Sequence, residues 1–568
     1  MPRRIQPTVG FLGTLSGAWI ALAIAMALSA ALILATAHGE TFGIDEIFYF
    51  GRMVEDSGQI VQYHSLDLHY LLAPYNGHLQ LGGKLIYEAT FAVAGTNYTA
   101  FVLVNIAALC ASVALLFELA QRRVGSLAAL APCVLLLFLG CAREVLLWPF
   151  DVHTLAAIAF GLGALLALER EDRRGDILAC VLITLSVATI EVGIAILVAI
   201  AVLVALGPDR LRRAWIFVLP AALYAVWWIW ARKFHQDQSA ISAENIHLIP
   251  KTVFYSAAAV FGSLTGTNPV LVASYNTAVT WFGKALTVLA AAAIALRLSR
   301  RAVPRALWAW LAMVLFYWVL MGAAARPAEG SRYVFFGAVG VLLVAAEAMR
   351  GRISKRVTAG IAIVVLLALP ANIAQLRSGH EVDTLHRDAP VSRTEWAMLE
   401  LARNRVDPEY VPIADPRVVA AGGGLFIGIP AGAYLRRVES DGSPAFSLDE
   451  LRGEEERLRL LADATLVGAL GLEVQATAAL RTRRGCRAVA LVPGAEFATF
   501  PLPSGTTLLR ASAPRTAFWL QRFAHAPRSV GIDYLPRGRW VKLAIPPDDA
   551  PDAWHGTVSA PVEVCSPS

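Results

Sequence analysis

The stretch FLGTLSGAWIALAIAMALSAALILATA, Phe11 to Ala37, decides the fold, and the HGETFGIDE that follows it, His38 to Glu46, decides where to look for chemistry. The first is an apolar run with no charged residue, longer than the roughly 20 residues a helix needs to cross a bilayer. It ends in Ala35-Thr36-Ala37, which looks like a signal-peptidase site. The run is far longer than the roughly 7–15 residues of a signal peptide's core, so it reads as an uncleaved first span. Ten further apolar runs lie near 99–120, 126–141, 152–168, 177–190, 192–206, 214–231, 278–296, 306–322, 333–349 and 357–370.

Arginines orient these runs. Arg3 and Arg4 precede the first; Arg122 and Arg123 follow the second; Arg170, Arg173 and Arg174 follow the fourth; Arg210, Arg212 and Arg213 follow the sixth. Arg297, Arg300, Arg301 and Arg305 follow the eighth, and Arg350, Arg352, Lys355 and Arg356 the tenth. Every second loop is basic, as cytoplasmic loops are. About eleven transmembrane helices satisfy all the clusters, with the N-terminus inside and the C-terminus outside. The segment 177–206 is divided around Glu191 and Gly193, because one pass would carry an arginine cluster to the outer side.

The whole-chain figures agree. At 57% hydrophobic and 16% charged residues, with a mean hydropathy of +0.56, the 568 residues are too apolar for a chain soluble throughout, a disordered chain or a coiled coil. The net charge of +6 falls largely in the basic loops, where it sets topology and implies no nucleic-acid partner. Few lysines and many arginines and alanines suggest a GC-rich bacterium, which makes the bilayer its plasma membrane.

Residues 1–376 read as the transmembrane domain, with 38–98 as a first outer loop carrying membrane-surface helices. That loop opens on an amphipathic stretch to about Asp56, and a helix near Leu79–Ala94 carries Lys84 and Glu88. A second surface element is expected at Lys251–Leu264. Residues 377–568 read as an extracytoplasmic α/β region, with 480–568 β-rich and best explained as a jelly-roll-like sandwich. Cys110, Cys133, Cys141 and Cys180 lie in or near spans and read as packing residues. Cys486 and Cys565 bracket the β-rich half on the oxidising side and are expected to form a disulfide; the alternative is two thiols. Gly422-Gly423-Gly424 lacks the Lys-Ser/Thr of a phosphate loop.

The strongest chemical signal is Gly43-Ile44-Asp45-Glu46. A carboxylate at the membrane face acts as a general base on a sugar hydroxyl or holds a divalent metal, Mg or Mn. The plain alternative is that Asp45 caps the helix that follows. Arg326 and Ser331-Arg332-Tyr333 lie at the outer mouth of the ninth and tenth spans, where a guanidinium either clamps a lipid phosphate or reaches to headgroups. Arg143-Glu144 and Asp151 with His153 flank Trp148 at another outer turn; such groups face a cavity or pair with one another. Glu191 is the acid most deeply placed in the membrane. Tyr75, Asn76 and His78 suit sugar hydroxyls, and Asn76-Gly77 equally suits a simple turn. Trp519, Trp540 and Trp554 stack on sugars or fill a core.

A span with its N-terminus inside, an acidic pair just beyond it, surface helices in the first loop, around a dozen spans and an outer domain together resemble the GT-C superfamily of membrane glycosyltransferases. The resemblance covers about residues 1–370, and Asp45-Glu46 is its one sequence motif. It implies sugar transfer from a polyprenyl-phosphate carrier to a glycan or lipid acceptor of the cell envelope, on the outer face of the membrane. It implies Asp45 as catalytic base with Glu46 in support. The tail is similar to carbohydrate-binding modules of some actinobacterial members. Two other readings fit the spans: a transporter or flippase of lipid-linked or small solutes, and a non-catalytic scaffold of envelope assembly.

Overall fold

The structure is a computed structural model. It describes residues 15–43, 45–57, 59–235, 241–268, 279–299, 303–351, 353–378, 380–423, 429–477, 483–548 and 550–567. The basic residues Arg3, Arg4, Arg300, Arg301 and Arg352 therefore lie outside the described residues. The chain divides into two compact units. The first reaches to His38 and includes Val54–Val93 and Thr99–Thr384; the second comprises Gly39–Met53, Ala94–Tyr98 and Leu385–Ser568.

Each expected apolar run coincides with a helix, but the helices differ in length. Eight are long and apolar enough to cross a membrane: Ser16–Thr36, Tyr98–Val124, Pro149–Leu168, Arg210–Phe234, Trp281–Leu298, Arg305–Ala323, Ser331–Ala348 and Lys355–Arg377. This is a multi-pass membrane protein. A ninth span results if Ser126–Leu137 and Gly140–Leu147, bent by 48°, count as one. The other two expected spans are the shorter helices Arg173–Thr189 and Val192–Ala205. The expected eleven thus become eight or nine long spans among the described residues, plus this short pair.

Both interruptions have a packing cause. At Gly140 an added Cβ would sit 2.1 Å from the Asn372 carbonyl oxygen, and the Gly140 N–H donates to Asn372 Oδ1 at 3.0 Å. Helix Lys355–Arg377 therefore crosses where only a glycine fits. Between the short helices Ile190 is extended, and a Cβ on Gly193 would lie 2.4 Å from the Ser186 backbone. The chain turns there within two residues.

The first loop is less helical than its sequence suggests. Only Glu46–Phe50 forms a helix in the amphipathic stretch, followed by strands β1 (Met53–Asp56) and β2 (Gln59–Gln62). Short helices Leu68–Leu72 and Leu81–Ala94 complete it. Asn76 and Gly77 both have positive φ (47° and 78°), and Tyr75 and His78 exchange backbone hydrogen bonds of 3.0 and 2.8 Å. That is a two-residue hairpin turn, which needs residues tolerant of the left-handed region. Lys84, expected on a surface helix, is instead buried. Its ammonium donates to the carbonyls of Tyr70 and Ala73, both at 2.7 Å, and burial pushes its pKa down to about 7. The second expected surface element is the helix Ile249–Leu264.

The second unit begins with helices, among them His380–Leu401, Ala431–Asp441 and Glu456–Ala469. Nine strands follow: β3 (Val474–Ala476), β4 (Arg483–Val489), β5 (Ala498–Leu502), β6 (Gly505–Ala511), β7 (Thr516–Gln521), β8 (Val530–Leu535), β9 (Trp540–Ile545), β10 (Trp554–Val558) and β11 (Val562–Pro567). They form sheets of order β5-β10-β7-β8 and β3-β9-β6-β11-β4, with every pairing antiparallel. From β4 to β11 successive strands alternate between the sheets except β7 and β8, which pair within one sheet, and this is the winding of a jelly roll. Phe500, Leu520, Leu543 and Val558 fill the space between them. Trp554 is buried with them, Trp540 is buried in a separate cluster with Leu508 and Cys565, and Trp519 is half-buried. Cys486 on β4 and Cys565 on β11 are joined in a disulfide.

Candidate functional site

The candidate residues fall into two clusters, one in each unit. In the second unit the segment carrying the acidic pair is clamped by aromatic packing. Phe50 stacks on Trp396 and Tyr434 with centroids 5.9 Å away in each case and interplanar angles of 11° and 14°. Arg437, buried, donates from Nε to the Phe50 carbonyl at 2.8 Å and pairs with Asp441 at 2.9 Å. The loop is thereby tied to helices nearly four hundred positions later.

Three acids follow one another here in distinct environments. Glu46 is fully buried. Its carboxylate accepts the Tyr98 hydroxyl at 3.1 and 3.3 Å and the Gly43 N–H at 3.2 Å. Asp45 is half-exposed and occupies the N-cap position of the short helix, with helical dihedrals (φ −71°, ψ −22°) and no cap hydrogen bond from its side chain. The capping alternative thus fails for Asp45, while Glu46 holds the turn. Glu40 was not singled out from the sequence. It is buried, and neither of its oxygens has a hydrogen-bond partner among the described residues. Burial, then the neighbouring Glu46, raises its pKa to about 8. A Glu five positions before the acidic pair was the available signal.

The second cluster gathers nearly all the other candidates within the first unit. Arg332 donates from Nε to Glu144 Oε1 at 2.8 Å and from its backbone N–H to Oε2 at 3.2 Å; a second guanidinium nitrogen also bonds Oε1. The Glu144 N–H donates to Ser331 Oγ at 3.2 Å. The Arg332 guanidinium lies 5.8 Å from the Trp148 ring centroid. Tyr333 is within electrostatic reach of Arg332, Arg326, Glu191 and Glu144. His78 Nδ1 meets Glu191 Oε2 at 3.1 Å, and His153 Nε2 lies 3.7 Å from Asp151 Oδ1. Phe150 packs between the rings of Tyr75 and His153, at 5.7 and 4.9 Å. Arg143 is buried beside Glu144 in the chain. Asn76 sits in the turn that presents Tyr75 and His78.

Sequence spacing suggested a local Arg143–Glu144 pair. Glu144 instead pairs with Arg332, 188 positions away. Tyr317, in electrostatic reach of Tyr333, Glu191, Asp151 and Arg332, was missed because it lies inside an apolar span with nothing local to mark it. The arrangement offers an oriented cation beside carboxylates, imidazoles and phenols, which suits a phosphate and sugar hydroxyls.

No family model and no curated protein sequence matches the chain. Among solved structures it is similar to ArnT from Cupriavidus metallidurans bound to undecaprenyl phosphate, with a TM-score of 0.43 and 12% identity, covering 70% of this chain and 82% of that one. It is also similar to the Archaeoglobus fulgidus oligosaccharyltransferase tethered to an acceptor peptide (TM-score 0.40, 14% identity, 76% of this chain, 60% of that one). A third is Archaeoglobus fulgidus AglB in complex with an inhibitory peptide and a dolichol-phosphate (TM-score 0.40, 13% identity, 80% and 64%). The chain spans less than two thirds of the length of the two archaeal chains.

Proposed function

We propose that the chain is an inverting membrane glycosyltransferase that moves a sugar from a polyprenyl-phosphate carrier to a glycan or lipid acceptor of the bacterial cell envelope. The work is done on the outer face of the plasma membrane, where the tail also lies. The observation that carries this reading is the contrast within the acidic loop. Asp45 is half-exposed and unused as a cap, while its neighbour Glu46 is buried and hydrogen-bonded. Asp45 would accept the proton, and Glu46 holds the loop.

In this reading Asp45 takes the acceptor's hydroxyl proton as that oxygen attacks the anomeric carbon. The bond from that carbon to the phosphate oxygen breaks, and the lipid phosphate leaves with the electron pair. Within the first unit, Arg332, its guanidinium held in place by Glu144, is the cation suited to the charge of a phosphate. Tyr75, Asn76, His78, Tyr333, Arg326, Arg143, His153 and Glu191 bind sugar and phosphate. A divalent Mg or Mn, if bound, would be held by Asp45 and Glu46 and would add charge stabilisation. The tail holds the glycan.

The first unit also offers a seat for the carrier's apolar chain. A groove of about 460 Å³ is lined by Leu72, Leu79, Val187, Leu223, Trp227 and Trp230 and is almost wholly apolar. Leu79 directly follows His78, and Tyr224 in the same wall is in electrostatic reach of Glu191. An isoprenoid chain in the groove would bring its phosphate towards those polar groups.

The test is sugar transfer by purified full-length protein from polyprenyl-phosphate donors of pyranose and furanose type. Asp45→Asn should lose at least about 100-fold in rate with an unchanged melting temperature. Undiminished transfer removes Asp45 as the base. No transfer by the unaltered protein with any donor points instead to a transporter or scaffold.

A further inference from the structure

We infer that the arginine-rich end of the helix bundle holds a binding site for the phosphodiester headgroup of an anionic phospholipid. It lies at the far end of the helix Pro149–Leu168 from Asp151 and His153, roughly 25 Å along the axis. It is independent of the proposed transfer chemistry.

A cavity of about 550 Å³ opens there, lined by Arg122, Arg123, Arg213, Arg305 and Arg350 with Glu169 and Glu171. Carboxylates fix the first three arginines. Arg123 is buried and bonds Glu347 at 2.6 Å, Glu169 at 2.7 Å and the Leu119 carbonyl at 2.5 Å. Arg213 grips Asp176 with Nε at 3.1 Å, and Arg122 bridges Glu118 and Glu169 at 2.7 and 3.0 Å. These three, with their acids, form a paired wall.

Arg305 and Arg350 differ. Their side chains are 41% and 57% exposed. Each uses one terminal nitrogen on a carboxylate, Arg305 on Glu171 at 2.7 Å and Arg350 on Glu347 at 3.0 Å. Among the described residues the remaining nitrogens of both make no hydrogen bond. A guanidinium carries five N–H donors in a planar fork, so two partly engaged forks on one cavity offer the geometry a phosphodiester accepts.

Three observations favour a lipid over a soluble anion. Leu165, Leu203 and Trp310 form the apolar part of the wall, where the first methylenes of acyl chains can lie. The cavity sits at the ends of candidate membrane-spanning helices. The loops at this end carry the chain's arginine clusters, which places the cavity against the leaflet whose anionic lipids attract basic residues.

The experiment uses the full chain in detergent, with melting temperature and native mass spectrometry as readouts. Phosphatidylglycerol should raise the melting temperature and stay bound, and phosphatidylcholine should do neither. Arg305→Gln and Arg350→Gln should each weaken phosphatidylglycerol binding about fivefold, and the pair about 25-fold. Neither residue belongs to the proposed transfer site, so transfer and lipid-free melting should be unchanged. Arg350→Lys keeps the charge and should retain part of the binding even if the glutamine variants fold poorly. Equal binding of the two lipids, or full retention of phosphatidylglycerol binding by the double variant, overturns the proposal. An equal shift from millimolar inorganic phosphate makes the cavity a free-phosphate site and also overturns the lipid assignment.

Discussion

Glu144 and Glu40 are both buried glutamates beside candidate chemistry, and they are treated in opposite ways. Glu144 receives two guanidinium bonds and a backbone N–H from Arg332. Glu40 has neither a cation nor a donor among the described residues, only the nearby Glu46. A carboxylate bonded to a guanidinium holds its partner's orientation. A carboxyl buried without one keeps its proton to higher pH. The bundle therefore stores charge in fixed pairs, and the acidic loop stores a proton.

The largest effect expected from this contrast is in the loop. The folded-state pKa of Glu40, about 8, lies above its unfolded value, so folding retains a proton through that interval. Its contribution is fully present below about pH 4.5 and is lost as the pH rises through about 8, at most on the order of 5 kcal/mol. Melting of the unaltered protein should fall across this window relative to Glu40→Gln. Parallel curves would show that Glu40 is already ionised. Next comes the bundle. Arg332→Ala strands the Glu144 charge and should cost about 3 kcal/mol, with Glu144→Gln in the same chain recovering much of it. Additive costs in denaturation would mean the pair is not coupled. The smallest change is Tyr98→Phe, which removes one hydroxyl donor from Glu46 and should cost about 1–2 kcal/mol in the same assay. No change at all would mean that the Gly43 N–H suffices.

The two regions were also unequally legible. Every apolar run became a helix because desolvation of long apolar stretches needs no tertiary information. The short pair at Glu191 was readable from its flanking arginines. The jelly roll followed from alternating runs separated by Gly and Pro, though its strand order comes only from pairing. Asp45 stood out through its neighbours in the chain. The Arg332–Glu144 pair and the Phe50–Trp396–Tyr434 stack did not, because their partners are far apart in sequence. Glu40 and Lys84 looked like ordinary loop charges, since burial shifts a pKa and leaves no mark in composition.

The clamp on the acidic loop also has a clock. Arg437 and the Phe50 carbonyl it grips are 387 positions apart. At a synthesis rate of about 5–20 residues per second, the loop waits on the order of 20–80 s for that partner to be made. Through that interval Phe50 lacks its stacking partners Trp396 and Tyr434, and the loop lacks its Arg437 anchor. The nascent membrane protein therefore passes its insertion with the acidic segment unassembled, and the candidate base acquires its final setting only when helices His380–Leu401 and Ala431–Asp441 arrive.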